Sequence, residues 1–365
     1  MLHDAWSSWC ASVLSLLVAL AVVVSARESS AGCAVEVPVG ESGGGLVRHL
    51  APSCTQAERE ARAVGNAAIM EVVAKGRSVD LVGVIVRGDL IFDRLAVQTA
   101  PLRKGVIPEQ QAALNQSNGE EVRFVRKAVT IRDSVVFGAV GHRSAKGTLQ
   151  FEGPLDFKGT TFKDGVDLSR SVFKGTVELS GATFEKEAYF VRGQFCQSLG
   201  CKETKFGPHT RFHRSMFRGP VDCGAALFDG IAEFLEVSFE QPVSFERARF
   251  GLGTGFSGSR FMRNANFTEA IFSRDTFFGF SVFEGETSFA AAQFLGAADF
   301  SGAEFKKPDD LTKVRFEQKP LFTRTKRIVQ DQPADTLKLQ AGQYALTLFF
   351  LLMAALLVAY VLKMK

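Results

Sequence analysis

Residues 245–267 read Phe245-Glu246-Arg247-Ala248-Arg249-Phe250-Gly251-Leu252-Gly253-Thr254-Gly255-Phe256-Ser257-Gly258-Ser259-Arg260-Phe261-Met262-Arg263-Asn264-Ala265-Asn266-Phe267. A bulky aromatic returns after five, six, five and six residues. Followed outward, the alternation runs unbroken from Phe151 to Phe322, with 32 positions over 172 residues, 27 of them Phe. Leu168, Leu179 and Leu311 fill three more, and Cys201 and Cys223 the last two. A single amphipathic helix does not carry this pattern, because glycine and β-branched residues are too dense in it. The residue two places before each bulky one points to extended chain. In the five-residue steps it is small, as at Ala182, Gly193, Ser215, Ala248 and Ser259. In the six-residue steps it is often Val or Thr, as at Val166, Val177, Val221 and Thr287. Positions i and i−2 face one side of a strand, so each large inward residue has a smaller inward companion, and a turn follows. Gly175, Gly219, Gly230, Gly285 and Gly296 fall in the longer step, where the extra residue is expected to need a freer backbone.

Composition agrees with an architectural role. The chain of 365 residues has 34 Phe against 3 Tyr and 2 Trp. Enzyme clefts and nucleic-acid platforms mix their aromatics, because Tyr and Trp bring a polar handle. The formal charge of +4 divides into a net of −1 over residues 1–26, +3 over 27–150, −4 over 151–305 and +6 over 306–365. There is no long basic stripe of the kind phosphate binding needs, and the central acidity is diluted by Lys and Arg.

A central Phe or Leu with a small residue two before it resembles the pentapeptide-repeat family, over about half the chain. The strict period of that family is five, and this sequence alternates five with six. The resemblance implies an all-β solenoid, a right-handed quadrilateral β-helix in which four short sides close each coil. Two steps of each length give 22 residues per coil. Residues 151–322 then make about eight coils, a rod of roughly 37 Å at the ~4.8 Å strand spacing.

The step extends upstream through Leu81, Val86, Phe92 and Val97, so residues 79–150 read as first, irregular coils. A polar surface insertion at 98–121 interrupts them. Ile131 and Phe137 resume the step, and a short insertion near His142 to Gly147 precedes the regular β-helix of 151–322. Within the N-terminal segment 27–78, Thr55 and Glu58 have capping-box spacing. They predict one short helix reaching Lys75 and stopped by Gly76, which caps the raw end of the solenoid.

Both ends address a membrane. The apolar run Ala11 to Val24, followed by Ser25-Ala26, reads as a signal peptide over residues 1–26. An uncleaved anchor, or lipidation at Cys33 after Ser30-Ala31-Gly32, are the other readings. After a linker at 323–343, residues 344–362 reach the ~20 needed to cross hydrocarbon, so they predict a single transmembrane helix. Residues 363–365 form a short cytoplasmic tail, with the body extracytoplasmic, either periplasmic or at the cell surface.

The five cysteines left after signal removal suit an oxidising compartment. Cys33 and Cys54 flank a glycine-rich loop and could pair. Cys196–Cys201, closing a small loop, is the leading pairing among the other three. No bond among the three is the second reading, and Cys201–Cys223, one coil apart, is the third. His209 and His213 flank Phe212 and face outward on a turn, which does not predict a metal site. No catalytic arrangement, phosphate loop or cofactor set is visible. In Thr276-Phe277-Phe278-Gly279-Phe280, Phe278 holds the register, so Phe277 and Phe280 lie off it. They either pack on a neighbouring corner or form a partner contact.

The reading is a non-catalytic, membrane-anchored scaffold for protein–protein interaction, with no cofactor and no nucleic acid. The partner and the oligomeric state are not written in the sequence. The resemblance also implies an alternative, a DNA mimic that protects topoisomerases, which the signal, anchor and mixed charge oppose. A further alternative is an enzyme with its site in the 98–121 insertion.

Overall fold

The computed structural model of the chain describes residues 33, 35–36, 44–100, 120–142 and 147–328. From Leu155 to Phe316 the backbone repeats strands of two or three residues separated by corners. Each strand pairs in parallel with the one 22 residues on, so that Phe162 faces Phe184, and Phe184 faces Phe206. The strands stack into four sheets, which are the four sides of a β-helix of about ten turns. Side 1 includes Leu155–Asp156, side 2 Thr161–Phe162, side 3 Val166–Asp167 and side 4 Ser171–Phe173. The all-β solenoid is therefore as expected.

The two step lengths make two kinds of corner. In the five-residue steps, from side 1 to 2 and from side 3 to 4, the backbone closes type II turns, with Gly193 N–H donating to Phe190 C=O at 3.0 Å. The third residue of that turn has positive φ. It is glycine at 159, 181, 258 and 302, but arginine at 170, 192 and 214 and phenylalanine at 280. The longer steps need no such backbone, which corrects the expectation for their glycines. Gly175, Gly219, Gly230, Gly285 and Gly296 all have ordinary φ. A Cβ on Gly230 would stand 1.9 Å from the Pro208 carbonyl oxygen, and one on Gly219 2.3 Å from the Gln197 carbonyl carbon. These glycines let one coil approach the next.

The core is a set of aromatic columns. On side 2, Phe162, Phe184, Phe206, Phe228 and Phe250 stack nearly parallel, with ring centroids 4.8–5.2 Å apart. Columns on different sides meet edge to face, as Phe256 does with Phe245 and Phe267 at 5.5 Å. The small inward residues also hold coils together. Ser215, Ser281 and Thr204 donate their hydroxyls to the carbonyls of Phe190, Phe256 and Leu179, at 2.7, 2.7 and 2.8 Å. The outward residue before a core position is often Asp or Glu, because its carboxylate accepts the N–H two residues on. Asp156, Glu178, Asp222 and Asp310 all do this.

The N-terminal coils differ from the expected register. Helix α1, Gln56–Ala61, has the full Thr55–Glu58 capping box. The expected single helix is broken at residues 62–65, where Val64–Gly65 pairs with side 2, and helix α2, Asn66–Ala74, follows. Helix α2 buries Ile69, Met70 and Val73 in the continuous hydrophobic core. Val97 is not a core position, being 46% exposed, because its strand Val97–Ala100 turns antiparallel to Glu120–Val125 as the insertion leaves side 4. Phe137 is also outside. Val136 takes the inward place, and Phe137 lies under the Arg87 guanidinium, 4.2 Å from its carbon. His142, read as part of an insertion, is fully buried on side 3, where it stacks in register between Phe92 and Leu168. Its Nδ1 lies 2.6 Å from Asp93 Oδ1.

The signal expected at 1–26, most of the 98–121 insertion, the linker expected beyond Ile328 and the helix expected at 344–362 lie outside the described residues. No helix among the described residues is long and apolar enough to cross a membrane.

Candidate functional site

A residue one or two places from a core position on side 3 repeats every 22 residues along the rod, so the sequence writes its outer surface in columns. The column after the core positions reads Ser169, Val191, His213, Leu235; the next reads Arg170, Arg192, Arg214, Glu236. Together they line a shallow groove of about 390 Å³ running along the rod. Arg214 Nε donates to Glu236 Oε2 at 2.9 Å, closing one end of the groove. Arg192, the middle rung, makes no ion pair among the described residues.

Beside the groove, Glu233 gathers the two histidines. Its Oε2 accepts from Arg211 Nε and lies 2.8 Å from His209 Nε2. His213 Nε2 is 3.4 Å away without hydrogen-bond geometry. Burial holds the His213 imidazole below its ordinary value, against the opposing pull of Glu233. Burial would raise the Glu233 carboxyl, but hydrogen bonds from His209 and Arg211 outweigh it and the net direction is down. His209 and His213 thus face outward as expected, and both are partners of a carboxylate. No group of three or more metal-ligating side chains forms among the described residues.

Farther along the same side the surface turns apolar. Phe277 is 45% exposed and Phe280 76% exposed. Leu252, Leu295 and Leu321 are exposed on the same side and its adjoining corner. Phe277 stands where the polar strand residue Asp299 stands one coil later. Phe280 occupies the positive-φ place of a type II turn, at φ 58°, and its ring lies over Gly302 of the next coil. It therefore leans on a neighbouring corner while leaving most of its surface open.

The cysteines are distributed differently from the leading expectation. Cys33 and Cys54 are bonded, with Cα atoms 4.6 Å apart. Cys201 and Cys223 are bonded, with Cα atoms 4.4 Å apart, and Cys196 is free. The reason is register: Cys201 and Cys223 are inward and stacked on side 1, whereas Cys196 follows the inward Phe195 and sits on a corner.

The family model described as pentapeptide repeats (nine copies) matches residues 150–194, 225–271 and 267–315. This is a pentapeptide-repeat protein. No curated protein and no solved structure matches it at a significant level. The matched segments cover much of the regular coils, and the last includes the Phe277–Phe280 surface. The arginine groove was not singled out from the sequence. Its signal is the recurrence of one residue type at 170, 192 and 214, visible only when the sequence is written 22 to a line.

Proposed function

We propose that this pentapeptide-repeat protein is a non-catalytic, membrane-anchored scaffold that displays its β-helix outside the cytoplasm to a protein partner. The observation carrying the reading is the apolar surface around Phe277 and Phe280 on side 3. Exposed aromatics on a rod whose backbone is bonded coil to coil form a preorganised contact surface, which lowers the ordering cost of association. The apolar segments at 1–26 and 344–362 supply export and anchorage, and α1 and α2 close the first coil against water. The DNA-mimic alternative is disfavoured, because a duplex-like surface is acidic throughout and side 3 carries an arginine column.

The test uses the full chain. Membrane fractionation and protease treatment of intact cells are expected to find the body pelleting with membranes and cut from outside. Co-purification from detergent is then compared for the wild type and Phe277→Ser/Phe280→Ser. Loss of a specific partner with unchanged melting supports the scaffold reading. A soluble cytoplasmic protein, or an unchanged set of partners, refutes it.

A further inference from the structure

The arginine groove on side 3 is separate from the apolar surface and does not depend on it. We propose that it binds a linear acidic polysaccharide, whose carboxylate or sulfate groups seat on the ladder formed by Arg170, Arg192 and Arg214. The three rungs come from successive coils, so they repeat at the ~4.8 Å strand spacing and span about 10 Å along the rod. Guanidinium forks suit planar or tetrahedral oxyanions, which they bind in a bidentate way. Arg192 offers its fork without an internal partner, and Arg214 exchanges the carboxylate of Glu236 for one on the ligand. The facing column places half-buried Val191 and Leu235 along the groove, with the His213 imidazole between them and the Ser169 hydroxyl at its far end. The two apolar side chains and the flat imidazole fit the C–H faces of sugar rings, while the arginines take their acidic groups.

A peptide strand is a poorer occupant, because the backbone of the rungs is already spent. The N–H groups of Arg170, Arg192 and Arg214 donate to the carbonyls of Val191, His213 and Leu235, at 2.7, 2.8 and 2.9 Å. Among the described residues no open strand edge faces the groove, so strand addition has nothing to pair with. The acidic groups beside the groove are engaged elsewhere: Glu236 with Arg214, Glu233 with His209 and Arg211, and Asp167 with the Ser169 N–H. None of them pairs with Arg192, the middle rung.

The experiment titrates full-length protein in detergent with labelled polygalacturonate and, separately, a heparin-derived oligosaccharide, at about 0.15 M salt to suppress diffuse attraction. Neutral dextran and poly-glutamate serve as comparisons. At least one acidic polysaccharide is expected to bind, and which one tells carboxylate from sulfate recognition. Arg192→Gln is expected to weaken binding about tenfold, the scale of one charge-assisted hydrogen bond. Arg170→Gln/Arg192→Gln weakens it further, with melting temperature unchanged. Arg249→Gln removes an exposed arginine on side 2 and is expected to leave binding intact. The proposal is overturned if neither polysaccharide binds, or if Arg249→Gln costs as much as Arg192→Gln. It is equally overturned if poly-glutamate binds as tightly as the polysaccharides.

Discussion

At the scale of single residues, the coil turns on where a Cβ fits and where a left-handed backbone is needed. Gly230 has no room for a methyl group against Pro208, so Gly230→Ala is expected to lower stability by about 1–3 kcal/mol in thermal or denaturant unfolding. Phe280 is the opposite case, a bulky residue at positive φ with most of its surface in water. Asn tolerates that backbone better, so Phe280→Asn is expected to raise stability by up to about 1 kcal/mol. A fall in melting temperature would show that the ring's contact over Gly302 outweighs the backbone strain. The inward set was legible between Phe151 and Phe322 because no residue is inserted there. At Val97 and Phe137 it was not, because Val97 lies where a strand reverses into an insertion and Phe137 follows Val136, which takes the five-residue step from Ile131 with a less conspicuous side chain. Step counting loses phase there by one or two residues. His142 was missed for a chemical reason: a histidine does not announce itself as core, and Asp93 makes its burial tolerable from a distant point in the sequence.

At the scale of coils and corners, hydrogen bonding between neighbours complements the aromatic columns. Ser259 Oγ donates to the Phe234 carbonyl and accepts from Val237 N–H, all within the core. Ser259→Ala is expected to cost about 1–2 kcal/mol in an unfolding titration, more than the same change at the half-buried corner residue Ser257. The Glu233 cluster gives the pH dependence. The lowered His213 value means the folded state binds that proton less readily than the unfolded chain, so stability falls as pH drops through the ordinary imidazole value of 6.5. The lowered Glu233 value adds stability that is present above 4.5 and lost as pH falls below it. Acid melts of Glu233→Gln should therefore lose the dependence below pH 4.5, while the fall through 6.5 persists or steepens because the carboxylate that opposes the His213 shift is gone. The five-and-six alternation revealed the corners, but it did not reveal which corner needs positive φ. That depends on turn type, and arginine, glutamate and phenylalanine fill those places as well as glycine does. The second helix was hidden because the short pairing at Val64–Gly65 interrupts a helical pattern that its flanking residues otherwise continue.

At the scale of the whole molecule, one repeat builds both an inside and an outside. The inside was readable because aromatic periodicity is a strong signal. The outside was readable only at Phe277 and Phe280, where residues break the register. The groove needed the sequence to be folded into columns before three arginines became neighbours. The account's central claim is that register alone separates scaffold from displayed surface, and two adjacent phenylalanines test it with identical chemistry. Phe278 is fully buried in the side 3 column and Phe277 is 45% exposed beside it. Thermal unfolding of Phe278→Asp against Phe277→Asp is therefore the most direct measurement. Phe278→Asp is expected to lose at least about 4–5 kcal/mol or fail to fold, whereas Phe277→Asp stays within about 0.5 kcal/mol of wild type. Equal losses, or a larger loss at Phe277, would contradict the account.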